Sequence, residues 1–118
     1  MTSSDRGSAT VQAMAVVALL SLLAFTFLQI ALAVSLRQRA AAAADLAALA
    51  ASRASVEGDG DPCARARDVS EANGGRLRNC RMDADVATIT VRATGPGWSI
   101  GRWTAEQRAR AAPAWYLE

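Results

Sequence analysis

The chain has 118 residues, of which 52% are hydrophobic and 20% are charged. Its 13 basic residues are all arginine, and it has 11 acidic residues and no histidine. The lack of histidine removes the commonest general base and metal ligand, and with it every Ser/His/Asp or Cys/His catalytic arrangement. The formal net charge is only +2, and arginines are interleaved with acids, which does not indicate a nucleic-acid site. We therefore expect no enzyme, metal or cofactor, no nucleic-acid partner and no small-molecule substrate.

An uncharged apolar stretch occupies much of the first third of the chain. No charged residue lies between Arg6 and Arg37, and residues 11–36 are almost wholly apolar. As a helix this stretch is about 39 Å long, which exceeds the roughly 30 Å hydrocarbon core of a bilayer. A signal peptide has a shorter apolar region, of about 7–15 residues, followed by a cleavage site. We therefore favour a retained single-pass anchor at residues 8–36.

Four polar side chains lie inside this stretch: Gln12, Ser21, Thr26 and Gln29. In lipid, such groups tend to hydrogen-bond to neighbouring helices, which makes Gln12 and Gln29 candidate helix-contact residues. The alternative is that Ser21 and Thr26 bond back to their own helix and that Gln12 lies near the headgroups. This alternative explains Gln29 less well, because Gln29 is further from either end.

Two signals disagree about orientation. Arg37 and Arg39 follow the span and Arg6 precedes it, which weakly places the C-terminal part in the cytoplasm. The only two cysteines, Cys63 and Cys80, are spaced as one closed loop and indicate a disulfide, which persists in an oxidising compartment. We give the cysteines more weight and expect a cytoplasmic N terminus and an extracytoplasmic C-terminal domain. Two unpaired buried thiols are the alternative.

A second helical segment follows the span without a break. Residues 8–55 contain neither proline nor glycine, and residues 40–51 are built almost wholly of alanine and leucine. Since these are the best helix formers, we predict one continuous helix whose residues 37–56 protrude from the membrane. Leu46 and Leu49, at i and i+3, are predicted to form the apolar stripe that holds a small domain.

A turn and a short helix come next. The carboxylates of Glu57, Asp59 and Asp61 lack the further ligands of a calcium loop, so we interpret them as a solvated turn. Asp61 is a predicted N-cap and Pro62 a predicted first helical residue, with a helix end at residues 74–75. The predicted apolar face of this helix consists of Cys63, Ala66, Val69 and Ala72.

The residue pattern then changes to a period of two, which predicts strands at about residues 77–82 and 86–93. Cys80 falls on the apolar face of this hairpin. A disulfide to Cys63 would close a loop of about 18 residues and contribute about 3 kcal/mol in the chain-entropy model. We therefore expect the disulfide to be structural.

The C-terminal tail supports two interpretations. Thr104 and Gln107 could form the capping box of a helix that ends before Pro113. The same segment could be a third strand, which we favour because a two-stranded hairpin alone is marginally stable. We expect the four aromatic residues near the C terminus to pack ordinarily, with a partner or membrane surface as the alternative. These residues are Trp98, Trp103, Trp115 and Tyr116.

The start of the chain places a short charged leader and a glycine directly before the apolar helix, in the order DRGSATVQAMAVVALL. Further along come RQRAAAAADLAALAA, a Pro-Cys pair, NGGRLRNC and the alternating segment TITVRA. This combination resembles the TadE/TadG-like proteins of tight-adherence (Flp-type) pilus systems. It looks most like their short actinobacterial branch, which is encoded beside secretion ATPase genes. The resemblance extends to about residue 95.

The resemblance implies a non-catalytic pseudopilin or minor-pilin-like subunit of such a pilus or a related secretion system. A prepilin peptidase would cleave the leader, residues 1–7, between Gly7 and Ser8 on the cytoplasmic side. The implied partners are the membrane, this peptidase, other pilin-like subunits and the pilus or secretion machinery with its ATPase. Many pilin-like proteins have glutamate at the fifth mature position, where this chain has Gln12. An amide cannot neutralise a neighbour's amino terminus, which favours a low-copy or accessory role.

We therefore predict an α+β protein. A long N-terminal transmembrane, pilin-like helix would be followed by a short helix and a small antiparallel β-sheet, the exported domain occupying residues 61–118. The alternative function is a generic single-pass membrane protein whose small exported domain binds something unrelated to pili.

Overall fold

The computed structural model describes residues 3–98 and 103–117, with side chains described at residues 7–98 and 103–116. Residues 1 and 2 of the predicted leader lie outside the described residues. The elements in chain order are α1 (Ser3–Glu57), α2 (Pro62–Ala72), β1 (Arg76–Asp83), β2 (Val86–Thr94), β3 (Thr104–Ala111) and a short 3₁₀ helix (Ala114–Leu117). The fold is α+β, as predicted.

The chain divides into two compact units, residues 1–32 and residues 33–118. The first unit is the N-terminal part of α1, and all its described side chains from residue 7 to residue 28 are exposed. Helix α1 starts earlier and ends later than the sequence pattern of residues 8–55 predicts. At its N-terminal end it includes Gly7, a residue that weakens a helix interior without breaking it.

The second unit is built on a three-stranded antiparallel sheet with the strand order β1-β2-β3. The hairpin is present as predicted, and the tail forms a strand and not a helix. Strand β3 pairs with β2 from Ala87↔Ala111 to Thr94↔Thr104. Arg92 and Glu106 are cross-strand partners, and their side chains form an ion pair of 3.1 Å. The third strand thus occupies the edge of β2 that the hairpin alone would leave open.

The core is formed by alanines of α1 facing the apolar side of the sheet. Ile89 and Val91 of β2 are fully buried and are the largest apolar side chains so enclosed among the described residues. The buried alanines of this cluster on α1 are Ala43, Ala44, Ala47, Ala48 and Ala51. Alanine leaves space for a helix to lie close to a sheet, so the larger strand side chains fill the interior.

The predicted leucine stripe on α1 is wrong. Leu46 is 46% exposed and Leu49 is 57% exposed, whereas Ala44 is completely buried. At 3.6 residues per turn, Leu49 lies about 140° around the helix from Ala44, and Leu46 lies about 160° from it. Because the domain packs on the alanine face, both leucines point away from the sheet.

Helix α2 begins and ends as predicted. The Asp61 carboxylate accepts a hydrogen bond of 3.0 Å from the Cys63 N–H, with Pro62 as the first helical residue. The buried face differs from the prediction, because Ala72 is exposed and Ser70 is fully buried. The Ser70 hydroxyl donates to the Ala66 carbonyl at 2.8 Å, which removes the cost of burying it.

Serines of α1 attach the far end of the helix to the β1–β2 turn. The Ser52 hydroxyl donates to the Asp85 carbonyl oxygen at 2.7 Å, and the Ser55 hydroxyl donates to the Asp85 carboxylate at 2.7 Å. At the other end of β2, a Cβ at Gly95 would lie 3.1 Å from Leu36 Cδ1. Strand β2 therefore runs from the level of Ser52 to the level of Leu36, opposite in direction to α1.

Candidate functional site

The predicted cleavage site lies near the beginning of α1. Gly7 and Ser8 are both helical and exposed. A Cβ added at Gly7 would meet nothing within 4 Å. The first turns of a helix contain N–H groups without intrahelical partners, so these turns open more easily than the interior. The predicted cleavage site is therefore exposed on the helix, one turn after its first described residue.

The segment after this junction has an unusual surface for a helix of this length. The structure has one described helix, Gly7–Glu57, that is long and apolar enough to cross a membrane, and 6% of its most apolar window is buried. The core helix of a soluble protein would be mostly buried. Its exposed apolar side chains include Val11, Met14, Val17, Leu20, Phe25 and Phe27. Such a continuous apolar surface is typical of contact with lipid or with other helices.

The polar residues of this segment differ in environment. Gln12 is exposed, whereas Gln29 is only 8% exposed, and neither amide atom of Gln29 has a hydrogen-bond partner among the described residues. Thr26 donates to the Leu22 carbonyl at 2.8 Å, so its hydroxyl is satisfied within its own helix. Gln12 thus has an exposed amide able to bond to another helix, whereas both amide atoms of Gln29 are buried and unpaired, which is costly.

Cys63 and Cys80 form the disulfide expected from the sequence, with a Cα–Cα distance of 5.8 Å. It joins the first turn of α2 to β1, where Cys80 packs against the core cluster with Leu77 and Met82. A register shift between Leu77 and Asn79 puts Leu77 and Cys80 on the same face of the sheet. The neighbouring carboxylate of Asp59 forms an ion pair of 3.0 Å with Arg65.

The expectation of ordinary packing is wrong for three of the four C-terminal aromatic residues. Trp98, Trp115 and Tyr116 are 61%, 58% and 59% exposed, whereas Trp103 is half-buried. Trp115 and Pro113 line a cavity of about 270 Å³ together with Leu49 and Val56 of α1. The sequence favoured packing because aromatic side chains usually enter a core, with an exposed surface as the alternative, but this core is already filled by alanine, isoleucine and valine.

The comparisons with known proteins concern mainly α1. The family model described as "Putative Flp pilus-assembly TadE/G-like" matches residues 7–66, which contain the predicted cleavage site, the apolar stretch and the rest of α1, and the first turn of α2. No curated protein matches the chain, and no solved structure matches it either. The match covers half of the chain and agrees with the resemblance drawn from the sequence. The chain belongs to the TadE/G-like family of Flp pilus-assembly proteins.

Proposed function

We propose that this protein is a non-catalytic, membrane-anchored pseudopilin or minor-pilin-like component of a tight-adherence pilus or a related secretion system. A prepilin peptidase removes residues 1–7, and Ser8 becomes the mature amino terminus. The helix stays in the membrane, and the sheet domain lies outside the cytoplasm. The observation that carries the proposal is the family match, which begins at Gly7, the glycine of the proposed cleavage site, and covers the exposed apolar stretch.

The surface of α1 supports a role in assembly. Pilin-like subunits leave the bilayer and bury their helices against each other, so the helix must be apolar over more than the membrane thickness. The apolar stretch of residues 11–36 is about 39 Å long against a core of roughly 30 Å. The exposed side chain of Gln12 could form hydrogen bonds between such helices, which are favourable where water is absent, and Gln29 would do so only after a change that exposes its amide.

The disulfide supports the proposed orientation. Disulfides form and persist in oxidising compartments and are rare in the cytoplasm. The bond between Cys63 and Cys80 lies wholly within the sheet domain, whereas Gly7 and Ser8 lie on the other side of the apolar stretch. A domain outside the cytoplasm and a junction inside it therefore agree with a single span.

The amide of Gln12 supports an accessory role over that of a major filament subunit. A carboxylate at this position would attract the charged amino terminus of a neighbouring subunit, whereas an amide only forms a hydrogen bond. We expect the protein to associate with pilin-like subunits and with the pilus or secretion machinery, including its ATPase, in few copies. Gln12→Glu should increase the fraction of the protein that is recovered with sheared filaments.

Co-expression with a prepilin peptidase tests the proposal directly. The intact mass of the membrane-extracted protein should fall by the mass of residues 1–7, and a catalytically inactive peptidase should leave it unchanged. Gly7→Ala should block this loss without affecting the fold, because a Cβ there meets no other atom within 4 Å. Gly97→Ala is the matched control, since its Cβ also meets nothing within 4 Å, and processing should continue.

An uncleaved chain beside a peptidase that processes a known prepilin in the same cells would contradict the proposal. The protein would then be better described as a single-pass anchor for a domain with another role. Free thiols at Cys63 and Cys80, found by labelling under non-reducing conditions, would contradict the proposed orientation.

A further inference from the structure

The apolar stretch of α1 ends beside one end of the sheet. Leu36 is the last residue of that stretch, and Arg37 is the first charged residue after it. Leu36 is 3% exposed, and its Cδ1 lies 3.1 Å from the position of a Cβ at Gly95. Ala33, Leu36 and Arg37 line a cavity of about 320 Å³ together with Trp103 and the start of β3. The β2–β3 connection therefore begins and ends at the last turn of the apolar stretch.

The direction of β2 carries this connection back along α1 to the last turn of the apolar stretch. The strand starts near Ser52, which bonds to Asp85, and ends near Leu36, so it returns about 24 Å along the axis of α1. The Gly95 N–H donates to the Trp103 carbonyl at 2.7 Å and closes the base of the connection. Trp103 lies at the level of Leu36, because both lie within 4 Å of a Cβ at Gly95, and Trp98, three residues after Gly95, lies within about 10 Å of that point.

The length of the apolar stretch fixes the level of the bilayer. About 39 Å of apolar helix centred on a hydrocarbon core of roughly 30 Å leaves about 4–5 Å at each end. This excess lies in the headgroup layer, where tryptophan is enriched because its ring is apolar and its indole N–H is polar. Arginines such as Arg37 extend their charged groups from this layer into water.

We infer that Trp98 and Trp103 form an interfacial contact with the headgroup layer of the same bilayer that holds α1. The 61% exposed ring of Trp98 finds there the apolar surroundings that the sheet does not provide. Trp115 is exposed to a similar extent, but it lines the cavity beside Leu49 and Val56, at the opposite end of the sheet. The contact holds the sheet domain against the membrane surface until the helix is extracted. The inference requires the membrane anchor but neither peptidase cleavage nor membership of a pilus.

Single-tryptophan variants of the full chain test the contact in vesicles of phosphatidylcholine and phosphatidylglycerol. One variant keeps Trp98 and has Trp103→Phe and Trp115→Phe, while the matched control keeps only Trp115. Lipids brominated near the headgroup end of the acyl chains should reduce the emission of Trp98 roughly two-fold and leave that of Trp115 nearly unchanged. Acrylamide, a water-soluble quencher, should show the reverse order. The side of the vesicle on which the domain lies does not affect this comparison.

Flotation of the same vesicles separates the two possible failures. If the variants float and resist carbonate extraction but lipid bromine quenches Trp98 no more than Trp115, the interfacial contact is wrong and the anchor stands. If the chain does not float, both the anchor and the contact are wrong. If a neighbouring copy covered Trp98 instead, neither quencher would reach it, and this result also overturns the inference.

Discussion

Gly75 lies in close contact with α1, α2 and β2, and Gly75→Ala should destabilise the domain. An added Cβ would be closer to Val91 Cγ1 than two carbon atoms can approach, and 3.2 Å from the Ala43 Cβ. Val91 and Ala43 are both fully buried, and a β-branched side chain in a strand has little rotamer freedom to move away. Overpacking of this kind costs about 1–3 kcal/mol in the free energy of unfolding.

The measurement is thermal unfolding of the intact chain in mild detergent, followed by near-ultraviolet circular dichroism of the tryptophans. For a domain of this size, each kcal/mol lowers the midpoint by about 4–8 °C, so Gly75→Ala should lower it by roughly 4–24 °C. Gly97→Ala is the matched control, because its Cβ meets no other atom within 4 Å. We expect it to change the free energy of unfolding by less than about 0.5 kcal/mol.

A double-mutant cycle identifies the contact responsible. Val91→Ala removes the methyl group that the new Cβ would strike, so the cost of Gly75→Ala in that background should fall to less than about half. An equal cost in both backgrounds would refute the packing argument. A cost for Gly75→Ala no larger than that for Gly97→Ala would refute it as well.

Three further changes test the domain in the same detergent preparation, each by the free energy of unfolding from guanidinium titration. Cys63→Ala combined with Cys80→Ala should lower it by about 3 kcal/mol, and an unchanged value would show that the disulfide does not constrain the unfolded chain. Ala44→Leu should lower the free energy of unfolding by about 1–3 kcal/mol, because the space around Ala44 is already filled. The control Ala42→Leu, on the exposed side of α1, should change it by less than about 0.5 kcal/mol. Equal changes for the two variants would show that another face of α1 contacts the sheet. Ser52→Ala should cost about 1 kcal/mol through loss of its hydrogen bond to the β1–β2 turn, and a neutral result would contradict that bond.

The two ends of the sheet domain have different exposed aromatic residues. Trp98 lies on the connection that leaves β2 near Leu36, while Trp115 and Tyr116 follow β3 at the end nearest Ser52. The membrane contact uses the first end, which leaves the second end, with Leu49 and Trp115, free to face other components. In the proposed function, extraction of the helix would have to detach the first end from the bilayer.

Local residue pattern by itself determined several elements of this protein. A continuous helix is indicated by the uncharged stretch of residues 11–36 and the alanine-rich segment after it, because neither contains proline or glycine. Asp61 and Pro62 specify where α2 begins, because a cap needs only its own turn. The period-two pattern specifies the hairpin, and the spacing of the only two cysteines indicates their pairing. Each of these depends on interactions within a few residues or on simple counting.

Only the tertiary structure decided which surfaces are buried. Leucine is more hydrophobic than alanine, yet the alanine face of α1 meets the sheet because it allows the closest approach, and Leu46 and Leu49 remain outside. The segment of β3 contains strong helix formers, but it forms a strand because its backbone pairs with the open edge of β2. The ion pair between Arg92 and Glu106 adds to this pairing. These outcomes depend on contacts between residues far apart in the chain, which no local pattern of α1 or β3 contains.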